Sequence, residues 1–586
     1  MKMQRLQRII NFTGQYKKHL FGAMFFAMLS AIWMLIPYFS IYQLIQLSLQ
    51  GPVLRADLMH YGSIAVIGIL FDVLTFFIAL WLSHMAGFRL ERNMRSYGVN
   101  RLLTVGLRFF DQEESGAIRK TIDDNASLTH TFVAHNIPDT IRSIVAPALI
   151  LMSIFYINWV YGVLMLLIVA TSLFLLNRMI GNTADIKHYM DSLDEMTATS
   201  TEFVRGMALV KLFDVPLTVF KRFKQSITHY GQWALNYSLS VRQPYISNQI
   251  VLEAFPILLI FALRWQKAIS AQFTLALFVL IISVQIVMLL MKVLTIGQSL
   301  YMSVQAVDRI DHMFNGYEEN IESTMATASS QVDFANQDLV ANNIGFAYLK
   351  DQPILHDISF KLPHQKMTVI VGASGSGKST IAKLLIGAYR NYSGTITIGN
   401  QDIKKLSEPQ LMANITFISQ HSRLFNRSIL DNLKIANPSA TAQQIQQALK
   451  WSACDDLVAK LPQGINTVIG QDGVYLSGGE QQRLTLCQAF LREARIVILD
   501  EVTASIDAEN ENQMQAAIIQ LAKEKTVILI DHKLKITKYA DQILVFHHGP
   551  IVERGTHTAL LAKNGQYQMM LDMHLQTQNW RLGGES

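Results

Sequence analysis

Long, mostly apolar runs, each ended by a polar stretch, fill the first half of this chain, and only a lipid bilayer offers such runs a common solvent. A membrane-crossing helix needs about 20 apolar residues. Six runs reach that length, near residues 19–48, 58–86, 132–157, 158–181, 246–265 and 273–299. A polar stretch of roughly 45 residues joins the second run to the third, and one of roughly 65 joins the fourth to the fifth. Both long stretches are rich in Lys and Arg, whereas the short loops hold few (Arg55, Arg264, Lys267). That asymmetry puts the long stretches and the N-terminus on the cytoplasmic side. Six crossings bring the chain back to that side, where the rest of it reads as a soluble α/β domain.

Composition agrees with two unlike halves. Half of the 586 residues are hydrophobic and 16% are charged, where a soluble protein carries about 25% charged residues. The net charge of +6 does not point to nucleic acid. Its excess sits beside apolar runs, at Lys2, Arg5, Arg8, Lys17 and Lys18 and again at Arg89, Arg92 and Arg95, as on cytoplasmic membrane flanks. Cys454 and Cys487 form no metal-ligand spacing and are expected to be reduced thiols. The first run is long, lacks a small-residue cleavage site and is followed by more runs, so it reads as a span rather than a signal peptide. The expected division is an N-terminal cytoplasmic elbow over 1–18, a six-helix membrane domain over 19–315, a linker over 316–335 and a nucleotide-binding domain over 336–586.

The polar stretches keep helical periodicity. ERNMRSYGVNRLLTVGLRFF (91–110) and TEFVRGMALVKLFDVPLTVFKRF (201–223) contain few breakers. The spanning helices are therefore expected to project into the cytoplasm, each pair closed by a short helix near 111–118 and 213–219, where Asp111, Gly116 and Pro216 interrupt the pattern. Within the apolar runs the charges noted are Asp72, Glu253 and Lys292. Each costs roughly 2.5–3.5 kcal/mol at a helix centre, so each should face a cavity or a partner. Two uses are open: a structural Glu253–Lys292 pair, or contacts to cargo.

In the soluble half, VIVGASGSGKST is a strand running into G-x-x-x-x-G-K-S and then a helix. Glycines let the backbone wrap phosphates, so Gly372, Ser374, Gly375, Ser376, Gly377 and Thr380 are candidate ATP ligands. Lys378 is placed to reach the β- and γ-phosphates and Ser379 to hold Mg²⁺. ARIVILDEVTASID (494–507) is an apolar strand ending in Asp500, suited to Mg²⁺ through water, and Glu501, suited to polarise the attacking water. TVILIDHKL (526–534) ends at His532 and ITFISQ at Gln420. In a nucleotide-binding sheet the strands' carboxyl ends face the ligand. His532 is thus a candidate γ-phosphate contact, and Gln420 joins the catalytic and metal-binding edge. YLSGGEQQRL (475–484) then sets Ser477, Gly478 and Gly479 before a helix, a second anion site of the kind helix N-termini make. One nucleotide does not need two. The second is expected to act in trans, capping the ATP held by another copy.

These motifs in this order resemble the ATP-binding cassette superfamily: LSGGE, the phosphate loop, Gln420, Asp500–Glu501, Ser505–Asp507 and His532, with FAY (346–348) similar to the adenine-stacking loop and Tyr348 as its ring. The six runs resemble the exporter-type membrane domain, and GMALVKLF (206–213) its second intracellular stretch. Two departures, Asp531 where the family usually has alanine and LDEVTASID for LDEATSALD, remove no catalytic group. The resemblance implies a half-transporter that pairs with an identical or similar half, binds ATP and Mg²⁺, and moves a small molecule across the inner membrane by alternating access. SHMAGFRLERNMR (83–95), FFDQEESGAIRKTIDDN (109–125) and FVAHNIPD (132–139) are similar to the subgroup that imports iron-loaded yersiniabactin and mycobactin. Import of a metal–siderophore or similar chelate is the first expectation. Export of a lipid, peptide or amphipathic drug is the second, and a non-transporting membrane ATPase sensor the third. No siderophore-reducing domain is read before residue 19, so reduction of bound iron is not expected of this chain.

Overall fold

The computed structural model describes residues 2–180, 183–213, 221–265, 269–317, 334, 336–349, 352–420, 423–470, 473–503 and 508–579. The chain separates into two compact units, one of Met1–Thr104 with Glu113–Asn315, the other of Val105–Gln112 with Gly316–Ser586.

The first unit is helical: α1 (Lys2–Phe12), α2 (Lys17–Trp33), α3 (Ile36–Gln50), α4 (Arg55–Leu102), α6 (Ser115–Thr131), α7 (Ile137–Ile157), α8 (Trp159–Ile180), α9 (Thr183–Phe213), α10 (Lys221–Trp265) and α11 (Ile269–Phe314). Among the described residues five segments are long and apolar enough to cross a membrane: Gly14–Gln50, Arg55–Leu102, Ser115–Ile157, Trp159–Met179 and Leu277–Phe314. The expected span 246–265 is the end of α10, where several side chains lie outside the described residues. The 48 residues of α4 are about 72 Å long at 1.5 Å per residue, more than twice a bilayer core of about 30 Å. The helices pack through small residues. Ala23, Ala27 and Ala31 of α2 are fully buried at four-residue spacing, and Ala79, Ser83 and Ala86 of α4 at spacings of four and three. Such stripes let backbones approach closely in lipid. Leu70, Val73, Phe77 and Trp81 on α4 point outward, more than half exposed, a surface suited to acyl chains rather than water.

Three details differ from the sequence expectations. The first run is two helices, broken at Met34–Leu35 with Pro37 inside the first turn of α3. Pro is tolerated there because that N–H has no helical partner. The third run opens in a π-helical turn, Phe132–Asn136, before α7. The first tip helix, α5, is Leu107–Gln112 rather than 111–118. Asp111 lies inside it, and Gly116 belongs to the first turn of α6, which the extended residue Glu114 begins. The second tip, near 213–219 with Pro216, lies outside the described residues beyond Phe213.

The second unit carries two sheets, with β4 (Ser393–Ile398), β5 (Gln401–Asp402) and β10 (Ile551–Gly555) among their strands. A mostly parallel one has the order β10-β9-β3-β8-β7-β6, and an antiparallel one the order β2-β1-β4-β5. In the first, β3 (Met367–Gly372), β8 (Thr526–Ile530) and β7 (Ile496–Asp500) are buried along their whole length, so they read as continuous apolar runs rather than alternating ones. They pair in parallel, β3 with β8 and β8 with β7, β6 (Ile415–Ile418) pairs in parallel with β7 on the far side, and β9 (Gln542–Phe546) with β3. β1 (Leu339–Leu349) and β2 (Gln352–Leu362) form the long hairpin of the second sheet. Both cysteines are free and buried, and burial pushes the Cys454 thiol up to about 11. α5 packs with this unit: Phe109 is fully buried and meets Tyr317 edge-on at 5.2 Å.

Candidate functional site

The sheet order decides what can meet. β3, β8 and β7 are adjacent and parallel, so the residues beyond Gly372, Ile530 and Leu499 emerge side by side at one edge. β3 runs into the phosphate loop and the helix Lys378–Leu385. The loop's glycines are required by space as well as by backbone angle. A Cβ on Gly372 would fall 2.3 Å from the Phe546 carbonyl, and one on Gly377 (φ +96°) would fall 2.5 Å from Leu355. Gly375 is also left-handed, with open space around it. Lys378 is 4% exposed. Its Nζ donates to the carbonyls of Gly372 (3.0 Å) and Ala373 (2.8 Å), which leaves one of three ammonium donors for a ligand. Burial pulls its pKa down, against the opposing charges of Glu501 and Asp500. Among the described residues Ser376 Oγ is buried with no hydrogen-bond partner. An unused hydroxyl and an ammonium beside a glycine-lined loop fit an anion.

Ser379 Oγ donates to Asp500 Oδ1 at 3.0 Å. Burial pushes the Asp500 carboxyl up, and the Ser379 hydroxyl pulls it back. Ser379 and Asp500 supply only oxygen, the donor set a hard cation such as Mg²⁺ takes. Glu501 stands in the left-handed region (φ +52°), unusual for a non-glycine residue. Its N–H donates to Ile530 O (2.9 Å), and His532 Nε2 lies 2.8 Å from its Oε1. Gln420 stands two residues beyond β6, at the same edge. Among the described residues its side chain bonds neither Ser379 nor Asp500. Tyr348 is 39% exposed; its hydroxyl lies 3.4 Å from Thr380 Oγ1, and its ring meets Phe346 and Tyr389 edge-on. A cleft of about 700 Å³ opens beside it. Ser374 is exposed on the loop.

Ser477, Gly478 and Gly479 lie at the start of the helix Gly478–Leu491. Ser477 and Glu480 form a capping box: Ser477 N donates to Glu480 Oε2 (2.7 Å), and Ser477 Oγ accepts from Glu480 N (3.3 Å). The serine's own O–H is not consumed by the cap. Ser477 and Gly478 are exposed, and a Cβ on Gly478 would meet nothing within 4 Å. Ser505 and Asp507 lie outside the described residues.

The membrane charges pair otherwise than expected. Glu253 and Lys292 do not form a pair. Lys292 Nζ meets Asp139 Oδ2 at 2.7 Å, and Glu253 accepts from Gln249 of its own helix. Asp72 takes Arg142 Nη2 at 2.8 Å and the Ser30 hydroxyl at 2.5 Å, with Phe76 4.7 Å under the guanidinium. Asp139 and Arg142, three residues apart on α7, were missed because they stand within the first turns of an apolar run. Their i,i+3 opposite charges on one helix face were the available signal.

The ABC transporter family model matches residues 355–504, and that of the ABC transporter transmembrane region matches residues 20–243. This chain belongs to the ABC transporter family. It carries the membrane region and the ATP-binding region on one polypeptide and is a multi-pass membrane protein, an ATPase of the transport-coupled kind. It is 28% identical over 504 residues to the mycobactin import ATP-binding/permease protein IrtA of Mycolicibacterium smegmatis, which covers 84% of this chain and 57% of that protein. The chain thus spans little more than half of that relative. It is also 28% identical over 498 residues to the ATP-dependent lipid A-core flippase of Photobacterium profundum, 83% of each protein. The solved structure of a bacterial Atm1-family ABC exporter with ATP bound superposes with a TM-score of 0.76 at 23% identity, over 97% of this chain and 100% of that one, a likeness of fold.

Proposed function

We propose that this ABC transporter chain is one half of an ATP-driven importer of a metal–siderophore or similar polar chelate, working as a dimer in the inner membrane with cassettes and N-terminus cytoplasmic. The observation that carries the polar-cargo reading is the membrane unit's charged belt. Asp72–Arg142 and Asp139–Lys292 place four ionised groups within apolar helices, where charge is retained at a cost and marks a polar path. The Lys292 side chain is 46% exposed despite its partner, which leaves a cation available to acidic cargo. The likeness to a mycobactin importer agrees with this. The equal likeness to a lipid A-core flippase, over more of that protein's length, favours a second reading, outward movement of a lipid.

In the nucleotide site the third N–H of Lys378 and the hydroxyl of Ser376 bind phosphate oxygens, and Tyr348 stacks on the base. Ser379, Gln420 and Asp500 would hold Mg²⁺, which when bound would supply neutralisation of phosphate charge. Glu501 polarises the attacking water, and His532 holds the Glu501 carboxylate and reaches the γ-phosphate. The Ser477 hydroxyl donates to the nucleotide held by the partner chain, with the positive end of its helix behind it. Closure of two cassettes on two nucleotides, relayed through α5, then shifts the membrane helices between two packings.

The test is directional. Labelled ferric chelate is offered to intact cells and, separately, to inverted membrane vesicles with ATP. Uptake by cells without ATP-driven accumulation in inverted vesicles is expected. Accumulation in the inverted vesicles, or ATPase stimulated by lipid A and not by chelate, overturns import.

A further inference from the structure

Asp531 occupies the position where the superfamily usually has alanine, and it is 3% exposed. Nothing in the roles given to Glu501 and His532 accounts for a buried acid there. Its carboxylate uses both oxygens: Oδ2 accepts from the Thr503 hydroxyl at 2.7 Å, and Oδ1 accepts from the Lys533 N–H at 2.8 Å. Thr503 is itself 1% exposed. The Asp531 N–H extends the β3–β8 ladder by one bond, to Ile370 O at 3.3 Å. One side chain therefore grips the backbone just after His532 and the chain two residues after Glu501, and its own backbone is fixed to the strand that leads into the phosphate loop.

We infer that Asp531 is a positioning residue for the Glu501–His532 pair, acting through Thr503 and the Lys533 N–H. Glu501 is held on its N-terminal side by the bond from its own N–H to Ile530 O. Without Thr503 nothing comparable holds the other side among the described contacts, and Glu501 is in a left-handed conformation that needs restraint from its surroundings. His532 is bracketed likewise, because the Lys533 N–H is bonded to the residue preceding the histidine. The carboxylate thus fixes both ends of the 2.8 Å contact between the two side chains. A buried, fully bonded acid is directional in a way an alanine methyl is not.

The inference rests on the proposed roles of Glu501 and His532, and the experiment separates the two. ATPase activity of the purified full-length protein is measured against ATP concentration, with thermal melting alongside, for the parent, Glu501→Gln, Thr503→Val, Thr503→Ser and Asp531→Asn. Thr503→Val removes the donor at nearly constant shape. It is expected to lower kcat about tenfold with KM for ATP within about twofold, the mark of lost alignment rather than lost binding. Thr503→Ser restores the hydroxyl and should return kcat to within about threefold of the parent. Asp531→Asn keeps the acceptor for the Lys533 N–H and can donate to Thr503, so it should fall between them. Parental kcat in Thr503→Val, equal losses in Thr503→Val and Thr503→Ser, or a loss carried by KM would each overturn the inference. If Thr503→Val does not fold, parental kcat in Asp531→Asn together with a slow Thr503→Ser does the same. Parental turnover in Glu501→Gln strikes the underlying reading of the site. A dead Glu501→Gln beside a parental Thr503→Val strikes only the role of Asp531.

Discussion

Asp111→Ala should loosen α5 from the cassette it packs against. Asp111 Oδ1 takes Lys383 Nζ at 2.6 Å, and Oδ2 takes the Tyr389 hydroxyl at 2.6 Å. Lys383 lies on the phosphate-loop helix, and the Tyr389 ring sits 5.2 Å from that of Tyr348. The carboxylate therefore links the segment between α4 and α6 to both the phosphate and base ends of the nucleotide site. A hydrogen bond to a charged group contributes about 1.5 kcal/mol at the low end. The ion pair has side chains 28% and 30% exposed, and solvent screening limits it to about 1 kcal/mol. Together these give about 2.5 kcal/mol, or roughly 60-fold in the docking equilibrium. Asp111→Asn keeps an acceptor for Tyr389 and loses the ion pair, so about 1 kcal/mol, or roughly fivefold, should go.

The assay is amide hydrogen exchange over Leu107–Gln112, which reads local opening free energies, run beside basal and cargo-stimulated ATPase. Exchange in that segment should accelerate by these two factors in order, with basal ATPase little changed and stimulation lost. The pH dependence follows from the carboxyl. Burial opposes its charge, but the Lys383 and Tyr389 hydrogen bonds outweigh that, and its pKa is held below the ordinary 3.8. A lowered acid pKa contributes docking stability in full above the ordinary value and loses it only as pH falls through the lowered one. Between about pH 5 and 8 the Asp111 contribution should therefore be flat. Unchanged exchange in both variants, or an Asp111-dependent drift across that range, refutes the energetics. Faster exchange with full stimulation refutes the relay.

Glu501→Gln should bind ATP yet turn over at least about a hundredfold more slowly, trapping closed cassettes, whereas Lys378→Ala should instead raise KM or abolish binding; equilibrium nucleotide binding beside steady-state ATPase separates the two. Ser477→Arg should still bind ATP and lose most hydrolysis, and mixing it with Lys378→Ala should restore part of the rate in a homodimer, because both lesions then share one composite site. Normal ATPase in Ser477→Arg alone would end the trans assignment. In the membrane unit Arg142→Met should cost about 3 kcal/mol or more by stranding Asp72, seen as a lower melting temperature, whereas Glu253→Gln should leave folding and basal ATPase intact.

The candidate nucleotide site can be read from the sequence because its pieces are local. A phosphate loop, an acid pair at a strand end and a serine–glycine cap each lie within a dozen residues, and each is a strand–turn or turn–helix junction with its own chemistry. Parallel pairing of β3, β8 and β7 then brings the phosphate loop, the acid pair and His532 to one edge, while the serine–glycine cap starts a separate helix. What failed was non-local or depended on register. Gly116 was read as a breaker, but near a helix start it costs little, so the tip helix lies four residues earlier at its start. The Thr503–Asp531 bond joins residues 28 apart, which no spacing rule predicts.

The membrane charges show the same limit most sharply. Taken from the sequence, Glu253 and Lys292 are an acid and a base in separate spans and invite pairing. In the structure Lys292 is satisfied by Asp139 and Asp72 by Arg142, so α7 contributes one charge of each sign to two different neighbours. Asp139 and Arg142 are one turn apart on α7 and project from a similar face. Burying both toward α4 and α11 requires opposite charges at matching depths on those two helices, and Asp72 and Lys292 provide them. The net charge of the set is zero: two acids against two bases. Such a belt binds an acidic cargo only if that cargo competes with Asp139 for Lys292, the more exposed member of its pair. Lys292→Met should therefore strand Asp139 and weaken cargo-stimulated ATPase together, while Asp139→Asn should free the cation and strengthen the response to an acidic chelate. Asp139→Asn with an unchanged or weaker response in an ATPase titration would mean that the belt holds the helices together and does not meet the cargo.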